Sequence, residues 1–173
     1  MNGFLLMIPF LLIRFGMLAF LGKNGMQRAA HYAPVFGKEK AAYWIYQLST
    51  AGIFGYLCFL KIEITVDIWF TAGIICYVSG LVLCAVSLIH FATWDDGGLN
   101  TKGIYRFSRH PVYVAYFVCF MGMSLLTGSL VLAGVVLVFQ ISCHWIILAE
   151  ERECISRFGD DYKKYMEKVR RYI

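Results

Sequence analysis

The sequence predicts an all-α integral membrane protein: five transmembrane helices, the last two forming a C-terminal helical hairpin, then an interfacial amphipathic tail helix. Three observations predict it. Of 173 residues, 60% are hydrophobic, against about 45–50% apolar in soluble domains, and mean hydropathy is +0.64. The apolar residues form five runs, separated by short polar or glycine-bearing stretches. The basic residues cluster beside those runs, where an anionic lipid surface attracts them. The net charge of +5 is therefore a membrane signature, and nucleic acid is not an expected partner.

Gly3 to Leu21 is the first run. It lacks the basic start of a cleaved signal and reads as a retained span. Arg14 interrupts it. A charge at that depth is costly, so Arg14 faces the bundle interior or snorkels. It either lines a cavity or pairs with a polar group on another helix. Gly22 to Lys40 is a basic loop whose Met26, Ala29, Ala30, Tyr32, Val35 and Phe36 suit the bilayer surface. Ala41 to Leu60 is the second span, and Lys61, Glu63 and Asp67 mark a polar turn. Ile68 to Phe91 is the third span. Ser87, His90 and Trp94 share a face of its last turns. His90 can reach a ligand there, or simply be hydrated. These spans make a three-span N-terminal part, residues 1–92, of one membrane domain completed by residues 93–173.

Asp95-Asp96-Gly97-Gly98-Leu99-Asn100 is a loop by its glycines. Adjacent glycines allow backbone N–H groups near a ligand; a plain turn is the alternative. Gly103-Ile104-Tyr105-Arg106-Phe107-Ser108-Arg109-His110-Pro111-Val112-Tyr113 follows. Pro111 fits the first helical turn, where its missing N–H costs nothing. Arg109 and His110 beside that helix start make an anion-binding arrangement, unless the stretch is only an interface loop. Val112 to Leu126 is short, about 22 Å at ~1.5 Å per residue. Thr127-Gly128-Ser129 turns the chain, and Leu130 to Leu148 returns it. The hairpin brings Glu150 and Glu151, at the end of one arm, beside His110 and Tyr113, at the start of the other.

Gly159 suits a helix C-terminus, and Asp160-Asp161 start a second helix. Ile155, Phe158, Tyr162, Tyr165, Val169 and Tyr172 recur at helical spacing, with lysines and arginines between them. Of the sixteen Lys and Arg residues, all but Arg14 and Lys61 fall on one side of this plan. The N-terminus is then outside and the C-terminus cytoplasmic. The cysteines fall mostly inside apolar runs, where a thiol is a small hydrophobe, and no spacing suggests a metal site.

Glu150 or Glu151, with Arg109, His110, Tyr105 and Tyr113, offers an acceptor for a cation, donors for an anion, and aromatic faces. A ligand with an ammonium, a carboxylate, a sulfonium and a flat ring has matching parts, and S-adenosylmethionine is one. A structural Glu–Arg pair is the alternative.

These residues carry a resemblance. Gly103-Ile104-Tyr105, then Arg109-His110-Pro111-Val112-Tyr113, then Glu150-Glu151 and Phe158-Gly159-Asp160-Asp161-Tyr162-Lys163-Lys164-Tyr165, resemble the isoprenylcysteine carboxyl methyltransferase family. That wider family includes phospholipid and small-thiol methyltransferases. The resemblance covers residues 95–173. It implies S-adenosylmethionine held by Tyr105, by His110, Pro111, Val112 and Tyr113, by Glu150, and by Gly98, Leu99 and Asn100, with His90 contributing. Ala115 and Arg170 stand where the family usually has Gly and Pro. A similar Arg-His-Pro-x-Tyr segment in sterol reductases leaves an NADPH-dependent membrane reductase as the alternative enzyme, and a non-enzymatic membrane scaffold as the third reading.

No catalytic residue or general base is assigned. Arg14 and Arg109 are the candidate acceptor-side contacts. Members active on isoprenylcysteine carry an Arg one turn before the cofactor Glu, and here that position is Ile146. The expected acceptor is therefore a small molecule or lipid with a neutral, thiol or amine head, unless Arg14 supplies the missing cation. The oligomeric state is not legible.

Overall fold

The computed structural model describes residues 1–17, 19, 33–92 and 98–172. Its five main helical segments coincide with the five apolar runs. Helix α1 (Gly3–Met17) begins as a 3-10 turn, continues as an α-helix and ends in a π-helical stretch, Leu12–Met17. Then come α2 (Glu39–Leu57), α3 (Ile68–Ala92), α4 (Pro111–Leu126), α5 (Leu130–Phe158) and a short α6 (Asp160–Lys168). No strand occurs among the described residues, only one isolated bridge between Asn2 and Lys61. Helices α3 and α5 are long and apolar enough to cross a membrane. Most of the basic loop after the first run, including Lys23, Arg28, Met26 and Tyr32, lies outside the described residues. So do Trp94, Asp95, Asp96 and Gly97.

Helix α3 packs along α4, and α2 along α5, with α4 and α5 as the expected hairpin. The α3–α4 contact is made backbone to backbone. A Cβ added to Gly80 would lie 2.4 Å from the Cys119 nitrogen, and one added to Gly122 would lie 2.4 Å from the Tyr77 nitrogen. Small residues at such crossings let helices approach closely when lipid, not water, surrounds them. The core between the layers is aromatic. Phe10 of α1 lies 5.0 Å from Phe120 of α4, which lies 5.3 Å from Phe139 of α5. Tyr77 of α3 donates to the Leu6 carbonyl at 2.7 Å, tying α1 to this core. Outward faces carry Trp44, Leu48, Trp69, Ile75, Val82 and Ile141, all exposed.

Two expectations change. The last span was expected to end near Leu148, but α5 continues without a break for 29 residues. That is about 44 Å, longer than a ~30 Å hydrocarbon core, and Glu150 and Glu151 lie within its final turns. The tail is also not a free surface helix. Gly159, with φ +56°, ends α5 as expected, but α6 stops at Lys168, so Val169 and Tyr172 are off the helix. Tyr162 and Tyr165 are buried against the bundle while Lys163 and Lys164 are exposed. The chain then returns into the protein, because buried partners there outweigh continued helix.

Gly80→Ala and Gly122→Ala should each destabilise the purified protein, since the new Cβ meets backbone that cannot rotate away. Overpacking of this kind costs about 1–3 kcal/mol. Gly134, which has open space around its Cβ position, is the control. Thermal unfolding in detergent should show lower midpoints for the first two variants and none for Gly134→Ala.

Candidate functional site

Pro111 occupies the first turn of α4, and His110 caps it with φ −130° and ψ 56°. Arg109 precedes the cap, and its side chain turns toward the tail. Nη1 donates to the carbonyls of Met166 and Val169 at 3.0 and 3.1 Å, and Nη2 to Glu151 Oε1 at 2.7 Å. The Arg109 backbone N–H donates to the Arg170 carbonyl at 3.1 Å. Arg171 reaches the other Glu151 oxygen, Nη2 to Oε2 at 2.7 Å. Glu151 is 3% exposed, and two guanidiniums compensate its charge. Arg109 was a candidate acceptor-side contact. The structure commits both its Nη atoms to this clasp, which holds the tail, while its Nε is buried without a hydrogen-bond partner.

Glu150 is one helical step from Glu151, which turns its side chain by about 100°. It faces a cavity instead. The Tyr113 hydroxyl donates to Glu150 Oε1, and His110 Nδ1 lies 3.4 Å from Oε2. His110 Nε2 lies 3.5 Å from Glu151 Oε1 but is buried without a hydrogen-bond partner. Burial opposes a charge on His110, but the two carboxylates outweigh it and raise its pKa above the ordinary 6.5.

The cavity is about 590 Å³, within the ~300–1,000 Å³ range of small-molecule sites. Gly98, Leu99, Asn100, Tyr105, His110, Pro111, Val112, Tyr113 and Glu150 all line it, and so do Arg14 and Arg109. His90 is the expected site residue that does not. Its ring packs on Gly103, where a Cβ would come within 2.8 Å of it and where φ is +59°. Its Nδ1 accepts from the Ile104 N–H at 3.4 Å, and its carbonyl accepts from Asn100 Nδ2 at 2.9 Å. His90 therefore shapes the Gly98–Tyr105 loop from behind. The Tyr165 hydroxyl donates to the Tyr105 carbonyl, fixing the loop from the tail side.

Sequence reasoning missed several lining residues: Glu153, Cys154, Arg157 and Phe158 on α5, Tyr116 on α4, and Tyr46 on α2. The α5 set follows Glu150 at three, four, seven and eight residues, one face of a helix. That stripe was readable once α5 was allowed to continue past Glu150. Tyr116 follows Tyr113 by one turn. Tyr46 comes from a distant element and carried no local signal. Among the described residues no cluster of His, Cys, Asp or Glu suits a metal ion.

Fold and site together define an all-helical bundle with a ligand-sized cavity at the end where α3, α4 and α5 meet the tail. Residues 68–161, more than half of the chain, match the family described as phospholipid methyltransferase, and the chain belongs to that family. It is 35% identical over 70 residues to methanethiol S-methyltransferase 1 of Bradyrhizobium diazoefficiens, covering 40% of this chain and 24% of that protein. It is 40% identical over 77 residues to protein-S-isoprenylcysteine O-methyltransferase of Schizosaccharomyces pombe, covering 43% of this chain and 32% of that protein. It is 24% identical over 108 residues to the nickel-cobalt-cadmium resistance protein NccN of Alcaligenes xylosoxydans xylosoxydans, covering 60% and 51%. The chain thus spans only about a quarter to a half of the length of these relatives.

Glu151→Gln should loosen the tail by leaving Arg109 and Arg171 undercompensated. Breaking a buried pair costs about 3–5 kcal/mol, and a lowered unfolding midpoint with easier proteolysis of the tail checks it. His110 adds a pH dependence. Its pKa is raised in the folded protein, so its contribution is full below the unfolded value of about 6.5 and fades as pH rises through the folded value. Unfolding midpoints measured upward from pH 6 should fall through that window, and His110→Gln should flatten the fall.

Proposed function

We propose that this chain is a membrane methyltransferase that takes its methyl group from S-adenosylmethionine and passes it to a small or lipophilic acceptor on the cytoplasmic side. The observation that carries this reading is Glu150. It is a carboxylate turned into a ligand-sized cavity beside His110 and Tyr113, in a chain of the phospholipid methyltransferase family. The names of two relatives, a methanethiol S-methyltransferase and an isoprenylcysteine O-methyltransferase, favour methyl transfer over a nicotinamide-dependent reductase or a scaffold.

The residues fit the cofactor by their chemistry. Glu150 is half-buried and keeps lone pairs beyond those used by Tyr113, so it can take an ammonium. His110 Nε2 is buried 3.5 Å from Glu151 Oε1 without a hydrogen bond, and a neutral ribose oxygen would satisfy it without setting a second carboxylate beside Glu151. Tyr105 and Tyr113 offer aromatic faces, and the Gly98–Asn100 loop offers backbone close to the ligand. Bound there, S-adenosylmethionine supplies an electrophilic methyl group. The protein's own part is to hold donor and acceptor in line and exclude water, effects that account for much of the rate in such transfers.

The membrane reading is supported by α3 and α5, long and apolar enough to cross, and by the exposed apolar residues on the outer faces. In this reading all five apolar helices cross, with the N-terminus outside and the C-terminus in the cytoplasm. The distribution of Lys and Arg supports that orientation. The final turns of α5, the clasp and α6 then lie at the cytoplasmic surface, against anionic lipid.

Calorimetric titration of the detergent-purified protein should show S-adenosylmethionine binding and no NADPH binding. Glu150→Gln removes a charged hydrogen bond in a partly dry site, worth about 1.5–3 kcal/mol, so affinity should fall roughly tenfold or more. Binding of NADPH alone would end the methyltransferase reading. For orientation, Cys58 and Cys76 are first replaced by Ala. Cys154 should then resist an impermeant thiol reagent outside intact cells and react once the cytoplasmic side is opened.

A further inference from the structure

Arg157 lines the same cavity as Glu150 and is exposed at its mouth. The two residues are seven apart in α5, so they share one face to within ~20°. Glu153 and Cys154 lie between them on that wall. Seven residues span about 10.5 Å of helix axis. Side chains on a helix lean toward its N-terminus, so a long side chain at position 157 can reach back toward Glu150. Among the described residues no carboxylate pairs with Arg157. Its guanidinium carbon lies 5.2 Å over the Phe158 ring. The ring face meets part of the charge but accepts none of the five N–H donors.

A ligand whose ammonium sits on Glu150, with a carboxylate bonded to the same carbon, needs a cation close to that face. Among the described residues three other basic groups line the cavity, and none meets the need. Arg109 has both Nη atoms on tail carbonyls and Glu151. His110 lies 3.4 Å from Glu150 Oε2 and 3.5 Å from Glu151 Oε1, so a ligand carboxylate there would be a third anion around one imidazole. Arg14 comes from α1 and stands 4.9 Å over the Tyr116 ring. Tyr116 is nearly one turn of α4 farther into the bundle than Tyr113, the residue that donates to Glu150. Arg157 is the cation left, and it is on Glu150's own helix.

We infer that Arg157 binds the carboxylate of the cofactor's amino-acid end while Glu150 takes its ammonium, so that one face of α5 reads both charges of the zwitterion. This rests on reading the cavity as an S-adenosylmethionine site. A guanidinium presents paired N–H donors that match the two oxygens of a carboxylate. The two side chains together also select. A ligand with the ammonium but no carboxylate leaves Arg157 unanswered, and one with the carboxylate but no ammonium sets that charge against Glu150. Arg157 is exposed, so water screens its contribution, which is smaller than that of a buried pair.

The test is calorimetric titration of the full-length detergent-purified protein with S-adenosylmethionine and with its decarboxylated analogue, which keeps the ammonium and sulfonium but lacks the carboxylate. The unaltered protein should bind S-adenosylmethionine about fivefold tighter than the analogue, the worth of a partly screened ion pair. Arg157→Gln should remove most of that preference by weakening S-adenosylmethionine alone, with the analogue held within about twofold of its original affinity. Arg157→Lys keeps the charge without the paired donors and should retain part of the preference. Equal affinity of the unaltered protein for the two ligands would overturn the inference. So would Arg157→Gln weakening both ligands alike, or neither. These results would leave the methyltransferase reading intact. Binding of neither ligand by the unaltered protein would remove that reading and the inference with it.

Discussion

The arrangement depends on one buried carboxylate. Glu151 sits near the end of α5 with Arg109 on one oxygen and Arg171 on the other, each at 2.7 Å. Arg109 belongs to the start of α4 and Arg171 to the returning tail, so this charge joins three parts of the chain. An uncompensated charge there would be prohibitive, which makes the three positions interdependent. Once Glu151 is fixed inward, helix geometry decides where Glu150 points. The tail it captures brings Tyr162 and Tyr165 to the cavity wall, and Tyr165 in turn fixes the Tyr105 carbonyl.

The opposite wall depends on a different constraint. Gly80 and Gly122 let α3 and α4 touch along their backbones. This crossing places the end of α3, with Leu88 and Phe91, beside Val112 and Tyr113. The cavity is thus framed by an ionic clasp at the polar end and by tight helix packing at the apolar end. That division suits a reaction between a polar cofactor and an acceptor with an apolar body. Arg14 is the exception on the apolar side, with its guanidinium over the Tyr116 ring.

Much of this was legible in the sequence. The apolar runs located the helices to within a few residues, except that α5 runs ten residues past Leu148. Pro111 marked a helix start and Gly159 a helix end, because each has a backbone preference few other residues share. The juxtaposition of Glu150 with His110 and Tyr113 followed from a hairpin with a three-residue turn. What escaped was set by side-chain direction and by contacts distant in sequence. Glu151 looked secondary to Glu150, yet it organises the tail. Arg109 lines the cavity, yet its Nη1 is held by carbonyls of residues 166 and 169 and its Nη2 by Glu151. His90, in the last turn of α3, packs behind the Gly98–Tyr105 loop. Tyr46 entered from α2 with no pattern to announce it. The tail's return after Lys168 had no periodic signal, since its cause is the buried Glu151 charge.

Cys154 offers the most direct measurement of the central claim that this cavity holds S-adenosylmethionine. Its thiol lines the cavity on the same face of α5 as Glu150, whereas Cys58 is exposed at the far end of α2. The rate of alkylation at each cysteine can be followed by mass spectrometry with and without saturating cofactor. S-adenosylmethionine should slow alkylation of Cys154 and leave Cys58 unchanged, while NADPH should alter neither. Unchanged alkylation of Cys154 at saturating S-adenosylmethionine, or protection by NADPH alone, would contradict that claim.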